Sequence, residues 1–116
     1  QGLGDGLEDD AWGVRLLAER LPEVLVAVSC SKNFGLYRER VGATIVIAPT
    51  PQAAAVAMGH LQGIARRMYS MPPDHGAAIV AGIWNDAALR ADWQQEVAEM
   101  RSRVLELRRG LASALR

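Results

Sequence analysis

The chain has 116 residues, half of them hydrophobic and 22% charged, with 13 basic side chains against 13 acidic ones. That composition fits one globular domain with a modest core and excludes a disordered chain. The balanced charge gives no reason to expect nucleic acid or an anionic membrane as a partner. Cys30 stands alone and cannot close an intrachain disulfide, which fits a reducing compartment. The apolar runs at 24–28 and 43–49 are too short to span a bilayer. The Gly-rich, acidic start lacks the basic and apolar regions of a secretory leader, so a cytoplasmic protein is predicted.

Residues 1–6 read as loop. Glu8, Asp9 and Asp10 then place negative charge where a helix dipole favours it. Ala11, Val14, Leu17, Ala18 and Leu21 recur at helical spacing, and Pro22 stops the helix. Residues 24–28 form a continuous apolar run, β-branched at alternate positions, which predicts a strand buried on both faces. Gly35 marks a loop or single turn over 33–40. Residues 41–48 are the second strand, ended by Pro49-Thr50-Pro51. No crossover helix separates the two strands, which predicts antiparallel pairing.

An Ala-rich helix follows over 52–68, with Thr50 as N-cap and Pro51 in the first turn. Met58, Leu61, Ala65 and Met68 share one of its faces. After the break at Ser70-Met71-Pro72-Pro73, Asp74 is predicted to cap a short helix reaching about Ile83. Asn85 or Asp86 then caps the longest element. Along it Leu89, Trp93, Val97, Met100, Val104, Leu107, Leu111 and Leu115 step by three or four. About 30 helical residues span about 45 Å, more than a compact domain of this size is wide. This helix is therefore expected to pack on something outside the chain or on a second copy. The basic residues of 101–116 interleave with Glu99 and Glu106 and read as a solvated face.

The chemistry concentrates at the end of the first strand, in Ser29-Cys30-Ser31-Lys32-Asn33-Phe34-Gly35-Leu36-Tyr37-Arg38-Glu39-Arg40. The C-terminal ends of strands are where open α/β sheets place ligands. A lysine is a nucleophile only as the free amine, and burial at a strand end favours that form. Ser29 and Ser31 flank Lys32 with hydroxyls that can donate to phosphate oxygens. Arg40 offers a charged fork that matches two phosphate oxygens at once. An amine, two hydroxyls and a guanidinium suit a ligand with an aldehyde at one end and a phosphate at the other, the shape of pyridoxal phosphate. The same residues also suit a solvated lysine in a Ser-rich loop. Cys30 should alternate away from the serines into the sheet packing. His60 reads as a surface or packing residue, and His75 as part of a helix start. Two histidines and one cysteine without paired spacing predict no metal site. Trp12, Trp84 and Trp93 read as core or interface anchors.

The segment Ser-Cys-Ser-Lys-Asn-Phe-Gly-Leu-Tyr-x-Glu-Arg-Val-Gly over 29–42 resembles the cofactor attachment segment of class I aminotransferases, the aspartate and aromatic branch. Residues 65–76 and the opening Gln-Gly-Leu-Gly-Asp-Gly-Leu-Glu-Asp-Asp-Ala resemble two further blocks of that family, in order. The resemblance implies an α/β fold. The chain would be part of the three-layer α/β/α large domain of a fold type I pyridoxal-phosphate enzyme, with two strands and about four helices, ending in a long helix. Residues 1–85 would belong to that cofactor-binding domain and 86–116 would begin the helix leading to a small domain outside the chain.

By the same resemblance Lys32 would hold pyridoxal 5′-phosphate as a Schiff base and then act as general acid/base. Ser29, Ser31 and Arg40 would bind the phosphate. Arg66, with Arg67 beside it, would reach the neighbouring subunit's site in a homodimer and meet a substrate side-chain carboxylate. Met68 and Met71 stand where asparagines are often found, which leans towards aromatic substrates. Tyr37 and Asn33 match the segment and read as loop packing. The family's cofactor-contacting tyrosine, its aspartate for the pyridine nitrogen, its glycine-rich phosphate loop and its arginine for the substrate α-carboxylate would lie outside the chain. The implied activity is transfer of an amino group between an aromatic or acidic L-amino acid and a 2-oxo acid, with little activity in these residues alone. Two alternatives are a lyase or decarboxylase of the same fold and a non-catalytic self-associating piece.

Overall fold

The computed structural model describes residues 1–115. The order is α1 (Leu7–Arg20), β1 (Val24–Ser29), β2 (Gly42–Ile47), α2 (Pro51–Met68), α3 (His75–Asn85) and α4 (Ala87–Ala114). Arg116, assigned to the last helix by sequence, lies outside the described residues. β1 and β2 pair antiparallel, from Val24 opposite Ile47 to Ser29 opposite Gly42. The predicted pairing holds because the connection, residues 30–41, is made of turns and carries no crossover helix. Cys30 N–H extends the ladder by donating to the Val41 carbonyl at 3.1 Å.

Local chemistry sets most helix ends. The Thr50 hydroxyl accepts from Ala53 N–H at 3.1 Å, as predicted. Asp86 Oδ1 accepts from the amides of Ala88 and Leu89 at 2.8 and 3.0 Å and starts α4. α1 begins differently: the Asp10 carboxylate turns back to accept from Gly4 N–H and Asp5 N–H, both at 3.0 Å. The Gly4 amide is the main reason its pKa falls to about 2. Asp74 does not cap α3: its backbone is already helical, and its side chain makes no capping bond. An N-cap needs extended backbone to aim its oxygen at the first-turn amides.

β1 is not buried on both faces. Leu25 is 67% exposed, because a two-stranded sheet with helices against its margins leaves most of the pleat uncovered. The core lies instead where α4 meets the opening loop. Val97 is fully buried there against Gly2, and Arg101 Nη1 donates to the Gly2 carbonyl at 3.0 Å. The apolar stripe of α4 is packed at Trp93 and Val97, half-buried at Met100 and bare from Val104 on, with Leu107 65% exposed. Trp12 and Trp84 are also exposed. No described helix is long and apolar enough to cross a membrane.

So much uncovered apolar surface has a measurable consequence. The 116-residue chain alone is expected to self-associate through its open strand edges and bare α4 stripe. Light scattering across a concentration series checks this, and a monomer at every concentration contradicts it.

Candidate functional site

β1 delivers the chain into the turn that carries the chemistry. Beyond Ser29 the strand ends in one helical turn, with Phe34 N–H donating to Cys30 O at 3.3 Å and Gly35 N–H to Lys32 O at 3.2 Å. Gly35 closes that turn at φ 65°, a conformation glycine adopts without a Cβ clash. α4 seats the turn from the other side. Trp93 Nε1 donates to the Asn33 carbonyl at 2.7 Å, and its ring stacks on Phe34 with centroids 4.7 Å apart. Trp84 meets Trp93 edge-on at 5.9 Å. The two residues after Lys32 are thus pinned by a tryptophan 60 positions further along the chain.

The two serines come together. Ser29 Oγ donates to Ser31 Oγ at 2.9 Å, and Ser31 N–H donates back to Ser29 Oγ at 3.2 Å, with Ser31 only 7% exposed. Cys30 faces away from them, as alternation predicts, into a groove lined by Val28, Ala77, Val80 and Trp84. Burial pushes its thiol pKa up. That is the setting of a packing residue rather than a reactive thiolate.

Lys32 is exposed, not shielded as its place after an apolar strand predicts. Burial of a strand-end side chain depends on the layers around it, and these residues supply no cover over the turn. Its Nζ lies 4.4 Å from the centroid of the Tyr37 ring, within cation–π range. Arg40 Nη1 donates to the Tyr37 carbonyl at 3.0 Å. Tyr37, predicted only to pack the loop, therefore holds both cations, one on its ring and one on its backbone. No spacing rule signals that role, since it depends on how the turn closes. Among the described residues neither Lys32 nor Arg40 forms an ion pair.

Arg66 is not brought to this turn. It sits in the last turn of α2, exposed, and donates from Nη1 to Ser70 Oγ at 2.9 Å. Arg40 does share a groove of about 570 Å³ with the end of α2, where Met58, Leu61, Met68 and Tyr69 line the wall, but Arg66 lies off it. A contact that sequence gave no sign of joins the turn to α3: His75 Nδ1 and Glu39 Oε2 are 2.8 Å apart, 36 positions apart in the chain.

Two cations with no carboxylate partner among the described residues, on the turn that follows a pair of hydroxyls, have the chemistry of a donor set for a dianionic phosphate and an electrophilic carbon. The residues present fit pyridoxal phosphate in kind.

A family model described as aminotransferase class I and II matches residues 1–116. The chain belongs to that family. It is 56% identical over 115 residues to an aromatic-amino-acid aminotransferase of Pseudomonas aeruginosa, covering 99% of this chain and 29% of that protein. Among solved structures, an aromatic amino acid aminotransferase with 3-indolebutyric acid is 50% identical at a TM-score of 0.94, over 100% of this chain and 29% of that one. An aromatic-amino-acid aminotransferase from Burkholderia pseudomallei, covalently bound to pyridoxal phosphate, is 46% identical at a TM-score of 0.92, over 96% and 28%. The chain thus spans under a third of the length of these aminotransferases. Its two strands and four helices are the corresponding part of the α/β fold of those neighbours.

Proposed function

We propose that the protein containing this chain is a pyridoxal-phosphate aminotransferase that exchanges amino groups between aromatic or acidic L-amino acids and 2-oxo acids. The observation that carries this is that Lys32 and Arg40 both contact Tyr37, one on its ring and one on its carbonyl, in the turn that follows the Ser29–Ser31 hydroxyl pair, with neither cation in an ion pair among the described residues. Its relatives' names support the reaction, and the Burkholderia structure supports the cofactor. Met68 and Met71, where asparagines are often found, favour the aromatic branch.

Bound pyridoxal phosphate supplies an aldehyde carbon for the amino group and a ring that takes up electrons. Ser29, Ser31 and Arg40 bind its phosphate. Arg40 supplies the charge, and the serine hydroxyls fix the orientation. Lys32 Nζ would hold the cofactor's aldehyde carbon. As a free amine, Lys32 Nζ would accept the proton from the substrate α-carbon. Arg66 lies away from these groups, which suits the reading that it serves the site of a second subunit in a homodimer. Residues 1–85 then belong to the cofactor domain, and 86–116 begin the helix towards the rest of the protein.

Absorbance tests this in the full-length protein. Added pyridoxal phosphate should give an imine band that tyrosine discharges, and Lys32→Ala should show no band. A band of equal strength in both proteins removes Lys32 from the attachment role. Release of carbon dioxide instead of a keto acid moves the protein to the decarboxylases.

A further inference from the structure

Arg40 has φ 52°, in the left-handed region that a long side chain rarely occupies. Such a residue persists only where its surroundings over-determine it. Both of its chain neighbours are held by the start of α3. On one side, Glu39 Oε2 lies 2.8 Å from His75 Nδ1. On the other, Val41 packs against Gly76, which is buried. A Cβ built on Gly76 would come within 2.9 Å of Glu39 Cβ and 3.0 Å of Val41 Cβ. Only glycine lets the helix approach this closely, and the two points of approach bracket Arg40.

We propose that Glu39, His75 and Gly76 are positioning residues that clamp the β1–β2 turn to α3, holding Arg40 in its left-handed backbone so that its guanidinium stays at the phosphate end of the cofactor site. The inference rests on Arg40 as a phosphate ligand. It adds that the ligand is held by a contact between two segments far apart in sequence, and that the contact titrates. The charged groups facing His75 are Glu39 across the junction and Asp74 beside it in the chain, and Glu39 is the larger cause of its raised pKa. A histidine whose folded pKa is raised contributes fully below its ordinary value of 6.5 and loses that contribution as pH rises through the raised value. The clamp is therefore tightest in mild acid and relaxes in base. The His75 side chain is 71% exposed, so its effect on affinity is modest.

The test compares dissociation constants of pyridoxal phosphate and of pyridoxal, which lacks the phosphate, in the full-length protein. His75→Gln and Glu39→Gln should each weaken pyridoxal phosphate by about 2- to 5-fold, the range of a part-exposed ion pair. Together they should cost no more than either alone, because both break one contact. Pyridoxal binding should not change. The ratio of His75→Gln to wild type, in which the cofactor's own titrations cancel, should be greatest below about pH 6.5 and fall towards one above the raised pKa. Gly76→Ala should cost about tenfold by forcing the turn away from α3. Should that variant fail to fold, the exposed His75→Gln still decides the matter. Equal weakening of both ligands, or a ratio that does not change with pH, overturns the clamp. Arg40→Ala separates the two levels. If it leaves pyridoxal phosphate affinity intact, the phosphate assignment itself fails. If it weakens binding while His75→Gln does not, the assignment stands and only the clamp is lost.

Discussion

Lys32→Ala in the full-length protein should lower kcat by at least about 10²- to 10⁴-fold, the usual contribution of one positioned acid/base group. The loss should be that large because one nitrogen does two things. In the proposed function it would bind the aldehyde carbon and later accept the α-proton. Lys32→Arg separates charge from basicity. A guanidinium keeps the positive charge and can still lie over the Tyr37 ring, where Lys32 Nζ now sits 4.4 Å from the centroid. It does not give up its proton at neutral pH and forms no imine. Both variants should therefore fold and lose the imine band together with turnover. Steady-state rates with tyrosine and a 2-oxo acid, beside absorbance spectra, check this. Retention of turnover within tenfold by Lys32→Arg would mean that Lys32 serves as a cation and not as a base.

Gly42→Ala should destabilise the fold by about 1–3 kcal/mol, the cost of overpacking where the neighbour cannot yield. Gly42 pairs with Ser29 in the last rung of the ladder. A Cβ on it would collide with the Val28 carbonyl oxygen and lie 3.4 Å from Ser29 Cα. These are backbone atoms, so no rotamer change relieves the clash. Either β2 moves off β1 or the rung opens, and both displace Ser29 from Ser31. Denaturant midpoints should fall, and affinity for pyridoxal phosphate should fall with them. Gly59→Ala is the control with the opposite sign. Nothing lies within 4 Å of its added Cβ, and it sits within α2, so the same change should stabilise by about 0.5–1 kcal/mol. A Gly42→Ala protein as stable as wild type would show that this end of the ladder yields easily.

The elements that sequence reasoning placed well are those whose cause is local. Thr50 before Pro51 starts α2, and Asp86 starts α4, because a cap and its amides lie within three residues. The antiparallel pair follows from a connection that carries no crossover helix. Asp74 has the right residue type for a cap and fails because its backbone has already turned helical, which its identity does not dictate. The uncovered β1 has a different cause. An apolar run says that a strand is buried in its own fold, while burial within these residues depends on which layers they include.

Sequence alone determined the order of helices and strands, the family through the 29–42 segment, and which side chains have the chemistry suited to an aldehyde and a phosphate. Those properties follow from residue type and short spacing. The three-dimensional fold alone decided that Tyr37 holds both Lys32 and Arg40. It also decided that Trp93 seats the turn across 60 positions and that His75 reaches Glu39 across 36. The Tyr37 contacts span three and five positions and depend on how the turn closes. Those across 60 and 36 positions depend on how whole elements pack, and periodicity within one element carries no information about what lies across the gap.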